Sequence, residues 1–329
     1  MNFLIFIKKN QFLPVFVLLV AFIFLTTSSL INKSATFDET NHLTRGLYLL
    51  SGKGFTLNKE HPPLVNLLQG LPVSIINKPK LPVANAEMHP FFHYSRRVLW
   101  SGSNDGKTMI VQARFITVFL SVLLGISIFS WARQLYGYEG GLFSLALYCL
   151  SPTILAHSRL VTTDLGLAFF LFIYYFALWN FLRFPSIKGA IIAGLCLGAA
   201  IGSKHLALLL IPITLIILIL IQVLGKIEFR SVLDFMPDKT LEKLSVFKGV
   251  FYSIFIWLVM ILIAFFVVWA LYGFSLGDFG GLKILIPMPD YFEGLKQGLS
   301  SVKSGRVYYL DGQISETGWL IFFFKAFLY

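Results

Sequence analysis

Charge is scarce in this chain. Asp, Glu, Lys and Arg make up 13% of its 329 residues, against about a quarter in a soluble domain. Too little polar surface remains to cover a water-soluble globule of this size, so that class is excluded. Cysteine is scarcer still. Cys149 and Cys196 both lie inside long apolar runs, which excludes a disulfide framework and a zinc site of Cys-x-x-Cys spacing; both read as buried thiols. No glycine-rich phosphate loop, internal repeat or low-complexity tract is visible. The net charge of +11 is scattered through loops with no basic stripe among polar groups. That argues against nucleic acid and for anionic membrane lipid as the counter-charge.

Apolar and aromatic residues are what the chain has, at 57% and 16% with a mean hydropathy of +0.77. A bilayer core of about 30 Å needs about 20 apolar residues in a helix. Runs of that order predict spans over 11–31, 113–132, 141–157, 165–182, 188–202, 206–224 and 249–271, with an eighth starting at Trp319. The fold class expected is all-α, a polytopic transmembrane helical bundle forming one domain over 1–329. The chain stops at Tyr329 inside the eighth apolar run, so a longer protein is expected. A single helix over 188–224 would be roughly 55 Å long, too long for the bilayer; the polar break Gly202-Ser203-Lys204-His205 predicts two spans with a tight hairpin. Gly194, Gly198 and Gly202 recur every fourth residue and put a smooth packing strip on the first of them.

Lys8, Lys9, Arg133, Arg183, Lys188 and the five basic residues Lys226, Arg230, Lys239, Lys243 and Lys248 all fall on one side if the N-terminus is cytoplasmic. The segments 32–112 and 272–318 then face outward, as do the turns at 158–164 and 202–205. The first span also fits a cleaved signal peptide, which would leave the later sidedness unchanged. In the first outer loop, Leu43, Leu47 and Leu50, then Leu64, Leu67, Leu68 and Leu71, mark two amphipathic helices expected to lie flat on the outer leaflet.

Ionisable residues gather at the outer ends of the spans: Asp38, Glu39, Glu60, His61, Arg159, Asp164, Lys204 and His205. At membrane depth such groups are costly unless paired or wetted, which makes each a site candidate. Each also has a plain structural reading. Asp38, Glu39 and Asp164 suit helix starts, His61 before two prolines suits a turn, and Lys204 can snorkel to the interface. Arg96 and Arg97 suit lipid phosphate or acidic loop residues.

The strings Ala35-Thr36-Phe37-Asp38-Glu39, Glu60-His61-Pro62-Pro63-Leu64, Arg159-Leu160-Val161-Thr162-Thr163-Asp164 and Gly312-Gln313-Ile314-Ser315-Glu316-Thr317-Gly318-Trp319 occur in that order. Together they resemble the C-type glycosyltransferases that use polyprenyl-phosphate sugars, with protein O-mannosyltransferases and lipid A aminoarabinose transferases nearest in pattern. The resemblance implies an enzyme of the inner or plasma membrane, active on its outer side. It would move a sugar from a polyprenyl-phosphate donor to a hydroxyl on a protein, lipid or glycan acceptor. By the same resemblance Asp38 is the candidate general base of an acidic pair with Glu39, and Asp164 orients the acceptor or the base. Glu60 and His61 match the place where relatives bind a divalent metal or touch the phosphate, a metal the sequence does not require. Lys204 and Arg159 are phosphate partners by location and charge, with His205 beside them. Relatives often carry a histidine in the outer loop before the Gly-Trp segment, whereas 272–318 has none; Arg306 stands there and could meet the phosphate in bidentate fashion. The competing class is a transporter or lipid flippase. It is disfavoured because the spans are nearly free of charge at their centres and no repeat appears.

Overall fold

The computed structural model describes residues 12–83, 91–224, 246–279, 282–303 and 307–328. The apolar helix α1 (Phe12–Leu30) leads through a short polar stretch into α2 (Phe37–Leu50). Glu39 fixes the start of α2: its Oε2 accepts from the Thr36 amide at 2.8 Å and from the Thr36 hydroxyl at 3.1 Å, as a capping acid in the first turn does. After a turn at Gly52, where φ is 74°, the chain runs through Pro62 and Pro63 into α3 (Leu64–Ile76). α2 and α3 meet backbone to backbone. A Cβ on Gly46 would lie 2.1 Å from the Asn66 carbonyl oxygen, and one on Gly70 would lie 3.0 Å from the Gly46 carbonyl carbon.

With α4 (Phe92–Trp100) these helices close a core around Leu43, Leu47, Val73, Tyr94, Val98 and Leu99, shared with Met109, Ile110 and Ala113 of the next helix. The two amphipathic helices expected in this segment are present, and each turns part of its apolar face inward. Leu43 and Leu47 of α2 and Val73 of α3 are buried in this cluster, whereas Leu68 packs against the bundle; burial of apolar surface is what holds the segment together. α3 keeps an apolar outer edge at Leu71, Ile75 and Ile76.

α5 (Gly106–Leu150) counts 45 residues, roughly 68 Å if straight and more than twice the bilayer core. It is not straight: Gly137, at φ 76° and ψ −177°, reverses it, a conformation open to glycine. The arms 106–136 and 138–150 run antiparallel, tied where the Tyr148 hydroxyl donates to the Ser121 carbonyl at 2.7 Å. The span expected over 141–157 is broken, because Ser151 takes an extended conformation and Pro152 opens a new short helix, α6 (Pro152–His157), in the first-turn position proline tolerates.

α7 (Asp164–Arg183) and α8 (Ile187–Ile201) follow, then a 3-10 turn over His205–Leu209, α9 (Leu210–Val223) and α10 (Val246–Leu271). The hairpin at 202–204 separates α8 from α9 as expected, and the glycine strip of α8 faces α10. Added Cβ atoms at Gly194, Gly198 and Gly202 would sit 2.9 Å from Ile263, 2.6 Å from Val267 and 2.3 Å from Leu271. Five helical stretches, with α5 taken whole and the 3-10 turn joined to α9, are long and apolar enough to cross a membrane. Beyond Tyr272 come the antiparallel ribbon β1 (Leu276–Phe279) and β2 (Leu282–Pro287), with Leu276 opposite Pro287, and then α11 (Pro289–Lys303). A second ribbon, β3 (Tyr308–Leu310) with β4 (Gln313–Ser315), and α12 (Phe322–Leu328) end the described chain. The two ribbons are the only sheet among the described residues, and the fold is all-α and polytopic in character, as the sequence indicates.

Candidate active site at one end of the bundle

Asp38, His42 and Arg45 fall at i, i+4 and i+7 of α2 and so share one face of it. Asp38 is exposed. Glu39, its neighbour in sequence, is fully enclosed. Arg114, in the first arm of α5, donates to Glu39 through Nε at 2.8 Å and Nη2 at 2.7 Å. Its other donors reach the carbonyls of Leu30 at 2.7 Å, Lys33 at 2.9 Å and Ser34 at 2.9 Å. The Val161 amide donates to Glu39 Oε1 at 3.0 Å. Burial alone would raise the Glu39 carboxyl, but the hydrogen bonds from Arg114, Thr36 and Val161 hold it below its ordinary value. Glu39 thus joins four segments and is saturated by them, while Asp38 stands free of this knot. Arg114 was not singled out from the sequence, although a lone arginine at the head of an apolar run is a signal.

Arg45 is buried and draws the loop before α3 onto α2: Nε donates to the Asn58 carbonyl at 2.7 Å and Nη2 to that of His61. This brings the His61 and His42 rings to a centroid separation of 5.4 Å. Burial pushes His42 down to about 4, with Arg45 adding to the effect and Asp38 and Asp164 opposing it. Burial, then His42 and Arg45, pushes His61 down to about 3. Glu60 is half-buried, and its amide donates to the Asn58 side chain at 2.8 Å. Among the described residues no group of three or more His, Cys, Asp or Glu side chains could hold a metal ion. Glu60 and His61 are thus not part of a three-donor cluster among the described residues.

The hairpin after α8 meets this loop directly, with the Leu64 amide donating to the Gly202 carbonyl at 2.9 Å. Gly166 lets the start of α7 press on Val65, whose Cγ2 lies 2.5 Å from the place of a Cβ. Those two contacts set Lys204 against Asp164, Nζ to Oδ1 at 2.7 Å, with both side chains partly open to solvent. Arg159 is half-buried and has no carboxylate within ion-pair distance among the described residues. His205 follows Lys204 in the chain and opens the 3-10 turn.

A fourth segment closes over the others. Lys59 pairs with Asp290 at 2.7 Å and with Glu293, and Gly294 lies so close to the Lys59 carbonyl that a Cβ would fall 1.9 Å from it. Tyr291 meets His205 edge-on at 4.8 Å and Tyr272 at 5.8 Å. Both His205 nitrogens and the hydroxyls of Tyr272 and Tyr291 are buried without a hydrogen-bond partner among the described residues. Below Tyr291 and Phe292 an apolar cavity of about 170 Å³ opens between α8, α9 and α10, lined by residues such as Leu197, Ile201, Leu208 and Phe265.

The structure therefore gathers Asp38, Glu60, His61, Asp164, Lys204 and His205 at one end of the bundle, with Arg159 at the end of the same connection that leads to Asp164. Glu39 is set apart inside the Arg114 knot, and Arg306 lies outside the described residues. His42, Arg45, Asn66, Lys59 and Tyr291 belong to the site without having been expected there. For His42 and Arg45 the signal was present: they continue the stripe that Asp38 begins.

Ion pairs and imidazoles brought together from four segments, above an apolar cavity at one end of an all-α bundle, define a multi-pass membrane protein with a built polar site at one surface. Residues 106–235 match the family model of the dolichyl-phosphate-mannose-protein mannosyltransferases. The matched stretch contains Arg114, Arg159, Asp164, Lys204 and His205, and that family is one of those the four motifs resemble. No curated protein matches the chain.

Proposed function

We propose that this protein is an integral-membrane glycosyltransferase that moves a sugar from a polyprenyl-phosphate carrier to an acceptor hydroxyl on the outer face of the membrane. The observation that carries the reading is the placement of an exposed carboxylate, Asp38, at the same mouth as the Asp164–Lys204 pair, in a chain whose family match names a dolichyl-phosphate sugar.

Transfer by single displacement needs a base for the acceptor hydroxyl and positive charge or donors for the departing phosphate. Asp38 takes the hydroxyl proton as the new oxygen–C1 bond forms; the C1–phosphate bond breaks, and the phosphate leaves toward Lys204 and Arg159. Asp164 holds Lys204 and so sets where the phosphate sits. The apolar cavity under Tyr291 suits a stretch of isoprenoid tail. A donor whose tail stays in the bilayer explains why the site stands at the end of a membrane bundle, since each exposed methylene would cost about 0.8 kcal/mol. The unpartnered His205, Tyr272 and Tyr291 groups supply hydrogen-bond partners for a polar ligand between tail and base.

Purified protein in detergent with labelled polyprenyl-phosphate sugars and a panel of protein, lipid and glycan acceptors tests this reading. Transfer that is lost in Asp38→Asn while the variant folds supports it. Wild-type turnover in Asp38→Asn removes the base assignment, and solute flux without transfer removes the enzyme class.

A further inference from the structure

His42 is held in one tautomer by its surroundings. The Asn66 side-chain nitrogen lies 3.2 Å from the His42 carbonyl oxygen and 3.3 Å from His42 Nδ1. A carbonyl only accepts, so the amide must turn its NH2 toward it. The same NH2 then faces Nδ1, which accepts, and the proton of the neutral ring resides on Nε2. The close α2–α3 approach at Gly46 and Gly70 is what brings Asn66 within reach. No described residue accepts from Nε2. The ring is within electrostatic reach of Asp38, Asp164, Lys204 and Arg45, and the His61 ring stands beside it.

With Nδ1 occupied, the ring can only donate, so its ligand atom is an acceptor. Asp164 is already paired with Lys204, and Asp38 is needed to accept a proton from the acceptor hydroxyl. We propose that His42 Nε2–H donates a hydrogen bond to a phosphate oxygen of the lipid-linked sugar, beside Lys204, with Asn66 fixing the tautomer; this rests on the glycosyltransferase reading above. A neutral donor suits the position, because an imidazolium between two acids would pair with them and blunt the base.

The test uses the full chain in detergent, with farnesyl phosphate and farnesol as probes of equal tail length. Wild-type protein binds the phosphate more tightly than the alcohol. His42→Gln, whose amide reaches the Nε2 position, keeps most of that preference. His42→Asn, whose amide reaches only the Nδ1 position, and Asn66→Leu, which releases the tautomer, each weaken farnesyl phosphate about tenfold, the scale of a hydrogen bond to a charged group. Farnesol binding stays level in all three, which reports that the cavity is intact. Equal farnesyl phosphate affinity in His42→Asn and His42→Gln overturns the proposal. A wild-type protein that does not distinguish phosphate from alcohol overturns the lipid-phosphate reading, and this proposal with it.

Discussion

Arg114 and Glu39, 75 residues apart in sequence, form a doubly hydrogen-bonded ion pair with neither side chain more than 1% exposed. The pair ties the end of α1 and the start of α2 to the first arm of α5, and through the Val161 amide to the connection before α7. It aims Asp38 without touching it.

Breaking one partner of this pair leaves a buried charge alone. Glu39→Gln and Arg114→Met are therefore each expected to lower stability by about 3–5 kcal/mol. The double variant Glu39→Gln/Arg114→Met is expected to be less damaged than the sum of its singles. Thermal unfolding in detergent, followed by tryptophan fluorescence, measures all three. Additive losses would show that the pair does not act as a unit.

Asp164 and Lys204 make the opposite case. Their side chains are 56% and 29% exposed, so the pair contributes at most about 1 kcal/mol to stability. Asp164→Asn and Lys204→Met are expected to melt within a few degrees of the parent while sugar transfer falls at least a hundredfold, the lower range for a positioned group in catalysis. Parallel melting and initial-rate measurements separate the two effects. A large loss of stability with modest loss of rate would make the pair structural.

The spans, the α8–α9 hairpin and the glycine strip were legible in the sequence because they depend on local period and length. Gly194, Gly198 and Gly202 announce close packing by spacing alone. The arm reversal in α5 was legible as two runs, but the break at Ser151–Pro152 was not, because the apolar run continues across it and hydropathy does not record backbone direction. Within the site, Asp38, Asp164 and Lys204 could be found as charges at span ends. Their partners could not. Lys59 meets Asp290 and Glu293 more than 230 residues away, and Asn66 finds His42 only because two glycines let α2 and α3 touch. The burial of Glu39 was hidden for the same reason: its saturating partner, Arg114, looks in sequence like one more interfacial arginine.

Acid is expected to loosen this end of the bundle before it affects the rest. His42 and His61 titrate near 4 and 3 in the fold against an ordinary value of about 6.5, so the unfolded chain takes up protons first. Their contribution is complete above the ordinary value and is lost progressively as pH falls from there toward 4 and 3. Glu39, held below its ordinary 4.5, contributes above that value and loses its part as pH falls through the folded one. Melting temperature should therefore fall between pH 7 and pH 5 from the imidazoles alone. The fall should be shallower in His42→Gln/His61→Gln; an unchanged slope in that variant would assign the acid sensitivity elsewhere.

Gly198 carries a direct consequence of helix packing. A Cβ there would lie 2.6 Å from Val267 Cβ, and neither helix can yield without moving its neighbours. Gly198→Leu is expected to cost about 1–3 kcal/mol, as overpacking does. It should also lower transfer, because the hairpin that ends this helix carries Lys204. Gly189→Leu, on the same helix but against Phe181 and Ser186 at its far end, should cost stability with little effect on rate.

Lys59 fastens the last segment over the site. It pairs with Asp290 and Glu293, and although burial lowers an ammonium, these two carboxylates raise it above its ordinary value. The attraction is then fully present below that ordinary value and is lost only as pH rises through the folded one. Replacing Lys59 by Met keeps the apolar stem and removes the charge, leaving two acids on α11 facing no cation. α11 should come away from the loop before α3 far more readily than the spans separate, because the close approach of Gly294 to the Lys59 carbonyl then has no ion pair beside it. Limited proteolysis should cut within 289–303 faster in Lys59→Met than in the parent, with the bundle core equally resistant in both. The double variant Asp290→Asn/Glu293→Gln should show the same accelerated cutting. If neither variant changes the rate, the segment is held by its aromatic contacts with His205 and Tyr272, and the ion pairs only decorate a seam that packing has already closed.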